Sequence, residues 1–411
     1  MELLHARCAA LDIGKKDLKA CVRLPPLAGR KARRQEIRTF ATTTGALLEL
    51  RDWLVDQQVS LVVMEATSDY WRSPFYLLED ALNVILVNAA HARGLPGRKT
   101  DVADAAWLCQ LGECGLLKAS FVPPEPIRHL RDLTRYRAAL AAERTREANR
   151  LEKELEDAGI KLSTVASDIL GASGRAMLQA LIDGEQDVHV LAELAKTRMR
   201  TRIPDLVAAL TGNFRGHRAF LCRIHLQRID QITASILQLS ARIEEAMRPF
   251  AAQLELLTTI PGIGRSGAEV IIAETGGDMT RFPTAGHLAS WAGTTPGHHE
   301  SAGKRKPART RHGNRHLAAT LGIAALSASR TKNTYLGARY RRLIGHTGKK
   351  KALVALQHSI LIATWHMLTG NLAYHDLGAD YFDQLNPDRA KHRAIAQLHR
   401  LGYQVELTPA A

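Results

Sequence analysis

Cysteine is scarce: Cys8, Cys21, Cys109, Cys114 and Cys222 are the only five in 411 residues, an odd number with no Cys-x-x-Cys pair. That excludes a disulfide framework and a finger-type zinc site, and it leaves reduced core thiols. No run of about 18 apolar residues is present, so no membrane-spanning helix and no membrane partner are expected. The opening Met-Glu-Leu-Leu-His-Ala-Arg has neither the basic nor the apolar part of a signal peptide, and the expected compartment is the cytosol. Acidic residues are nearly missing from one stretch. Between His299 and Lys351 the single acid Glu300 faces fourteen Lys or Arg, which gives +13 of a total formal charge of +15 and leaves +2 for the remainder. Concentrated charge of one sign fits a polyanion such as nucleic acid, because each neutralised phosphate releases counterions. A merely solvated basic face is the alternative.

With 45% hydrophobic and 24% charged residues, the chain has the composition of a globular protein, and its length suggests two or three domains. The first 120 residues alternate in period. Cys8 to Ile13, Leu18 to Leu24 and Gln35 to Ala41 read as strands, Thr44 to Gln57 as a helix, and Val59 to Met64 as a buried parallel strand. A helix at 68–82, a strand at 84–87 and a helix at 101–112 follow. The order β-β-β-α-β-α-β-α predicts a mixed sheet covered by helices, ending at the prolines of 121–126. Two long helices are predicted at 127–158 and 220–250. In the second, Ile229, Ile232, Ile236, Leu239 and Ile243 recur at steps of three and four, a coiled-coil seam for a partner in the same or another chain. The expected segments are 1–122, 123–253, 254–380 with helices at 315–327 and 353–368 around a basic linker, and a tail at 381–411.

Four carboxylates stand out in the first segment. Asp12 ends the first strand, Glu65 ends the fourth, and Asp101 and Asp104 share a face at the start of the last helix. Singly, each has a plain reading: a turn former, a helix-initiating residue, a first-turn acid that suits the helix dipole. Four carboxylates gathered at one sheet edge would repel one another without cations, and two Mg²⁺ ions acting on a phosphodiester fit that arrangement. It resembles the RNase H-like fold in its RuvC form. More narrowly, Asp12, Met64-Glu65-Ala66-Thr67 and Arg98-Lys99-Thr100-Asp101-Val102-Ala103-Asp104-Ala105 are similar to the DEDD motif of the insertion-sequence transposases of the IS one-ten family, with Asp12, Glu65, Asp101 and Asp104 as its four acids.

Beyond residue 254, Ile260-Pro261-Gly262-Ile263-Gly264 has the form of a helix-hairpin-helix turn, whose Gly262 and Gly264 would let backbone N–H groups approach a phosphate; an ordinary helix-helix turn reads the same way. Trp291-Ala292-Gly293, Pro296, Ser301-Ala302-Gly303-Lys304 and Gly313-Asn314 resemble the C-terminal transposase domain of the same family, which implies Ser301 as nucleophile. Lys304 and Arg305 would offset charge developing at phosphorus. Lys306, Arg309, Arg311, Arg315, Arg341, Arg342, Lys349, Lys350 and Lys351 extend the candidate nucleic-acid contacts. His298, His299, His312 and His316 read as phosphate contacts or solvated residues rather than metal ligands, and Asn314 as a helix cap or a catalytic group.

The resemblance implies an α/β RNase H-like N-terminal domain, a helical coiled-coil middle and a mainly α C-terminal domain. It further implies a recombinase that cuts and rejoins donor and target DNA through a phosphoserine intermediate, guided by an element-encoded bridge RNA. Such an enzyme would use Mg²⁺, with Mn²⁺ tolerated, and would work as a homotetramer, a dimer of dimers, on the nucleoid of a bacterial cytosol. Two other functions remain open: a Mg²⁺-dependent RuvC-like junction nuclease that uses water, and a non-catalytic nucleic-acid scaffold.

Overall fold

The computed structural model describes residues 3–30, 32–66, 68–88, 103–297, 300–306 and 308–407. It divides into two compact units at Pro123/Pro124.

In the first unit, the short apolar runs form a five-stranded sheet: β1 (Cys8–Ile13), β2 (Asp17–Leu24), β3 (Arg34–Ala41), β4 (Leu61–Glu65) and β5 (Val84–Val87), in the order β3-β2-β1-β4-β5. The first three make an antiparallel meander, whose first turn is closed by the Gly14 N–H donating to the Asp17 carbonyl at 2.9 Å. β4 runs parallel to both β1 and β5. Helices α1 (Thr44–Asp56) and α2 (Arg72–Leu78) cover one face, where Ala9, Leu11, Val62 and Met64 meet Leu47, Leu50, Leu54 and Phe75. Helix α3 (Ala103–Glu113) covers the other, packing Ala105, Leu108 and Cys109 on Cys8, Ala10, Leu61 and Val63. Cys8, Cys21 and Cys109 are buried free thiols here, as Cys222 is in the second unit, and Cys114 is half-buried.

The second unit is helical apart from one small hairpin. Helices α4 (Glu125–Asp157) and α9 (Gly216–Ala246) lie side by side and antiparallel. Ile127 and Leu130, at the start of α4, share a core with Ile243, near the end of α9. Leu151 and Leu155 share another with Leu226 and Ile229. Of the predicted seam, Ile229, Ile232 and Ile243 are buried, whereas Ile236 and Leu239 are half-buried. Between the two long helices, α5 (Leu162–Val165), α6 (Ala172–Ile182), α7 (Val188–Glu193) and α8 (Ile203–Leu210) close the second core.

The remaining elements are α10 (Ala251–Thr258), α11 (Arg265–Thr275), α12 (Ala285–Trp291), β6 (Glu300–Ser301), β7 (Lys304–Arg305), α13 (Arg315–Arg330), α14 (Tyr335–Thr347), α15 (Lys349–Gly370), α16 (Tyr381–Gln384) and α17 (Pro387–Arg400). One sequence expectation needs correction. The basic linker is helix α14 followed directly by the start of α15: Thr334 caps α14 by accepting from Gly337 N–H, and Leu336 at 2% exposure anchors its inner face. The tail contains the amphipathic helix α17. Helix α15 is the one described helix long and apolar enough to cross a membrane. It is a core helix: Leu356, Ile360 and Leu361 are fully buried in the core that it shares with α12 and α13, and three lysines open it.

Candidate active site

Strand alternation decides where the acids of the first unit go. Successive side chains of a strand point to opposite faces. Asp12 is therefore in phase with Cys8 and Ala10, and Glu65 with Leu61 and Val63, which are the residues that meet α3. The parallel register pairs Leu11 with Met64, and the next pair along is Asp12 beside Glu65. Neighbouring strands are about 4.8 Å apart, so the two half-buried carboxylates leave adjacent backbones on one face.

A third acid, Asp104, stands in the first turn of α3. Gly112 of that helix lies over the starts of β1 and β4, so close that a Cβ there would stand 2.8 Å from Val63 Cγ2 and 3.1 Å from Cys8 Sγ. Glycine is required for that approach. The Cys109 thiol donates to the Cys8 carbonyl at 3.2 Å, and the Glu113 carbonyl accepts from Leu4 N–H at 2.9 Å, so the end of α3 lies beside the chain entering β1. Eight residues of helix from Gly112 back to Asp104 rise about 12 Å. Four residues of strand from Cys8 to Asp12 rise about 13 Å. Asp104 therefore lies at the opposite end of α3 from Gly112, in its first turn. Asp101 lies outside the described residues, and among the described residues no three acids close to ion-holding distance. The donor set nevertheless suits a hard divalent cation, because it is all carboxylate oxygen at a half-exposed sheet edge.

In the second unit, Ser301 occupies an exposed two-stranded hairpin, paired with Lys304, while Glu300 pairs with Arg305. The turn residues Ala302 (φ 49°) and Gly303 (φ 72°) are both left-handed, as a two-residue turn of this twist demands. Ala302 accepts that conformation at a cost of about 1–2 kcal/mol. The register sets Ser301 and Lys304 directly across from each other at the tip, so the hydroxyl and the ammonium stem leave the same face of the hairpin.

The hairpin stands on a narrow base. Pro296 bridges to Thr310, and Gly297 N–H donates to the Arg309 carbonyl at 3.0 Å. Below them Gly293 (φ 75°) and Gly313 touch: a Cβ on Gly313 would stand 2.3 Å from the Ala292 carbonyl, and one on Gly293 would stand 2.7 Å from the Arg311 carbonyl oxygen. Both glycines are therefore needed for the two strands of the loop to cross at that distance.

Next to this crossing is Asn314, and the structure gives it a definite role. Its Oδ1 caps α13 by accepting from His316 N–H at 3.0 Å and Leu317 N–H at 3.1 Å. Its Nδ2 donates to Glu274 Oε2 at 2.6 Å. Glu274, at the end of α11, is fully buried and takes a two-pronged ion pair from Arg135 of α4 at 2.7 and 2.8 Å. Arg131 stands 3.6 Å away and donates to the carbonyls of Ala273 and Glu274. Burial pushes the Glu274 carboxyl up, but the Arg135 and Asn314 hydrogen bonds and the charges of Arg135 and Arg131 outweigh it and hold the group below the usual carboxylate range. Burial, then the Arg135 charge, lowers the pKa of nearby His316.

This chain of contacts was missed in the sequence. Its signal was an acid closing the apolar run Val270-Ile271-Ile272-Ala273, with arginines at 131 and 135 one helical turn apart. Gly262 also has a packing role: with φ 92°, its α-carbon faces α13, where a Cβ would stand 2.3 Å from the Ala324 carbonyl oxygen. Gly264 is exposed at the start of α11.

Lys304, Lys306, Arg309, Arg311, Arg315, Arg341, Arg342, Lys349, Lys350 and Lys351 are all exposed, as is His312. The backbone of Arg305 is in β7, and His298 and His299 lie outside the described residues.

Sequence comparison adds an independent line. A family model described as a DEDD transposase of IS110 type matches residues 9–160, and one described as the transposase IS116/IS110/IS902 family matches residues 254–341. The first span contains Asp12, Glu65, Asp101 and Asp104, and the second contains Ser301. Among curated relatives, the 43.6 kDa protein of insertion element IS110 from Streptomyces coelicolor is 31% identical over 152 residues, 33% of this chain and 36% of its own. A putative transposase of Sinorhizobium fredii is 25% identical over 283 residues, 67% and 64% of the two chains. The 42 kDa protein of insertion element IS900 from Mycobacterium paratuberculosis is 33% identical over 141 residues, 33% and 34%. The chain thus spans about a third of two of these relatives and just under two thirds of the other. The mixed 3-2-1-4-5 sheet bearing acids on β1, β4 and the last helix, followed by a helical unit with its basic serine loop, and the two matched spans agree: the chain belongs to the IS110 (IS one-ten) family of DEDD transposases.

Proposed function

We propose that this protein is a DNA recombinase that cuts, exchanges and rejoins donor and target strands through a serine-linked intermediate. The observation that carries the reading is the presentation of Ser301, exposed at the tip of a tight hairpin with Lys304 directly across from it. The Ser301 hydroxyl oxygen attacks phosphorus; a bond forms from Oγ to phosphorus, and the bond from phosphorus to one sugar oxygen breaks. The serine proton goes to solvent, and the departing sugar oxygen takes up a proton. Lys304 and the neighbouring arginines offset the charge that accumulates on the phosphoryl oxygens. Attack by the sugar hydroxyl of the exchanged strand reverses these changes and frees the serine. The bond energy is retained throughout, so rejoining needs no external energy source.

Asp12, Glu65, Asp101 and Asp104 would hold the divalent cations, Mg²⁺ with Mn²⁺ as a substitute. Bound there, the cations supply charge neutralisation and orientation for the scissile phosphate. The rest of the reading draws on the resemblance of the DEDD and serine-loop motifs. An element-encoded RNA pairs with donor and target, and a tetramer lets the acids of one subunit complete the serine site of another.

The test mixes wild-type and Ser301→Ala protein with the RNA flanking its gene, donor and target DNA and Mg²⁺, and resolves the products on a denaturing gel. Protein-linked strands with wild type and none with Ser301→Ala are expected. Cleavage that survives in Ser301→Ala would point to a junction nuclease using water, and binding with no cleavage in either protein would point to a scaffold.

A further inference from the structure

A cavity in the second unit, formed by residues outside the serine loop, is unused by this mechanism. It measures about 380 Å³ and lies between α14, α15 and the segment after α15. Tyr335, Arg339, His358, Ile362, Ala363 and Tyr374 are among the side chains that line it. That size is at the small end of ligand pockets, which run from about 300 to 1,000 Å³.

Two nitrogens on its wall are buried and lack a hydrogen-bond partner among the described residues: Arg339 Nε and His358 Nδ1. Leaving one such group unsatisfied is costly, and two on one cavity wall imply that something supplies their partners. The rest of the site is fixed. Arg339 Nη1 donates to the Tyr335 hydroxyl at 3.2 Å, and the Tyr335 ring is stacked on Phe382 at 5.4 Å. Burial, then the Arg339 charge, lowers the pKa of His358, so its ring is neutral and carries one donor and one acceptor nitrogen.

The required ligand follows from this inventory. A phosphate asks for several donors around its oxygens, whereas here one cation, already engaged with Tyr335, faces walls that are mainly apolar and aromatic. A flat, largely apolar group with a polar edge fits better. A nucleobase offers an acceptor for Arg339 Nε–H and a donor or acceptor for His358 Nδ1. Position on the chain agrees: Arg341, two residues beyond Arg339 on the same helix, is exposed, as is Arg342, whose guanidinium lies 4.8 Å over the Phe382 ring.

We propose that this cavity binds one unstacked nucleobase of a single strand whose backbone runs over α14. The inference rests on the nucleic-acid reading of the basic segment and adds to it a base-binding site. The strand can come from displaced DNA or from RNA, which share this chemistry.

The test measures affinities of the full-length protein for four 12-nucleotide strands: oligothymidine, oligouridine and their fully abasic counterparts. The variants are Arg339→Met, His358→Leu and the cavity-filling Ala363→Phe, each checked for an unchanged circular dichroism spectrum and melting temperature. In at least two folded variants the ratio of intact to abasic affinity is expected to fall about tenfold, one stacked base's worth, with the abasic affinity nearly constant. Arg341→Ala should lower both affinities alike and leave the ratio unchanged. A fall with thymidine alone assigns the base to DNA, one with uridine alone assigns it to RNA, and one with both assigns the site to either strand. A ratio that stays at the wild-type value in every folded variant overturns the proposal, and the cavity then holds only water. Strands that fail to bind even the wild type overturn both this inference and the nucleic-acid reading beneath it.

Discussion

Glu274→Ala is the most informative perturbation of the second unit, because one fully buried carboxylate joins α4, α11 and the cap of α13 at the base of the serine loop. Removing it leaves Arg135 and Arg131 without their buried counter-charge, and Asn314 loses the acceptor of its 2.6 Å hydrogen bond. Breaking a buried ion pair from one side costs about 3–5 kcal/mol. The second unit is at or above the domain size at which each kcal/mol shifts Tm by roughly 2–4 °C, so a fall of roughly 6–20 °C is expected by calorimetry. Glu274→Gln keeps the shape and loses the charge, and should fall between that variant and the wild type.

The pH dependence has a definite sign. A carboxyl held below its unfolded value stabilises the fold at neutral pH, and that contribution is lost as pH falls from about 4.3 through the folded value. The Tm difference between wild type and Glu274→Gln should therefore narrow in acid. A Glu274→Ala protein melting within about 2 °C of wild type at pH 7, with the same acid profile, would refute the reasoning.

Other substitutions probe the remaining geometry. Gly313→Ala places a methyl group 2.3 Å from the Ala292 carbonyl and should abolish strand transfer by forcing the loop base open, whereas Gly303→Asn, with nothing within 4 Å and a left-handed φ, should retain it; both are read in a recombination assay. Gly112→Leu should unfold the first unit by lifting α3 from β1 and β4, as read by limited proteolysis between residues 1 and 123. Arg341→Ala with Arg342→Ala should weaken DNA binding and reduce the slope of log affinity against log salt by about 1–2.

How much of this the sequence disclosed depends on the range of the interaction concerned. The short apolar runs Cys-Ala-Ala-Leu-Asp-Ile and Leu-Val-Val-Met-Glu were enough to put Asp12 and Glu65 at strand ends, and the structure supplies the adjacency of β1 and β4. The face they share follows from that phase. Strand and helix ends shifted by a few residues, as with β4 at Leu61–Glu65 against the expected 59–64. Helix α14 was less legible: its cations and the glycines at 345 and 348 resemble a linker, and only burial of Leu336 and the Thr334 cap reveal the helix. Glu274 was legible only as an acid closing an apolar run. Its partner Arg135 is 139 residues away, and a carboxylate at the end of an apolar helix looks like any solvated terminus until the opposing helix is in place. The glycine pair 293 and 313 matched a motif in sequence, and the structure supplies its cause, a crossing too close for any β-carbon.

The covalent role of Ser301 is the central claim, and mass spectrometry of the trapped protein–DNA adduct tests it most directly. After nuclease and protease digestion, the account predicts a nucleotide phosphate on the peptide containing Ser301, formed only when donor DNA and divalent cation are both present. A phosphate on any other residue, or strand exchange proceeding with no adduct, would contradict it.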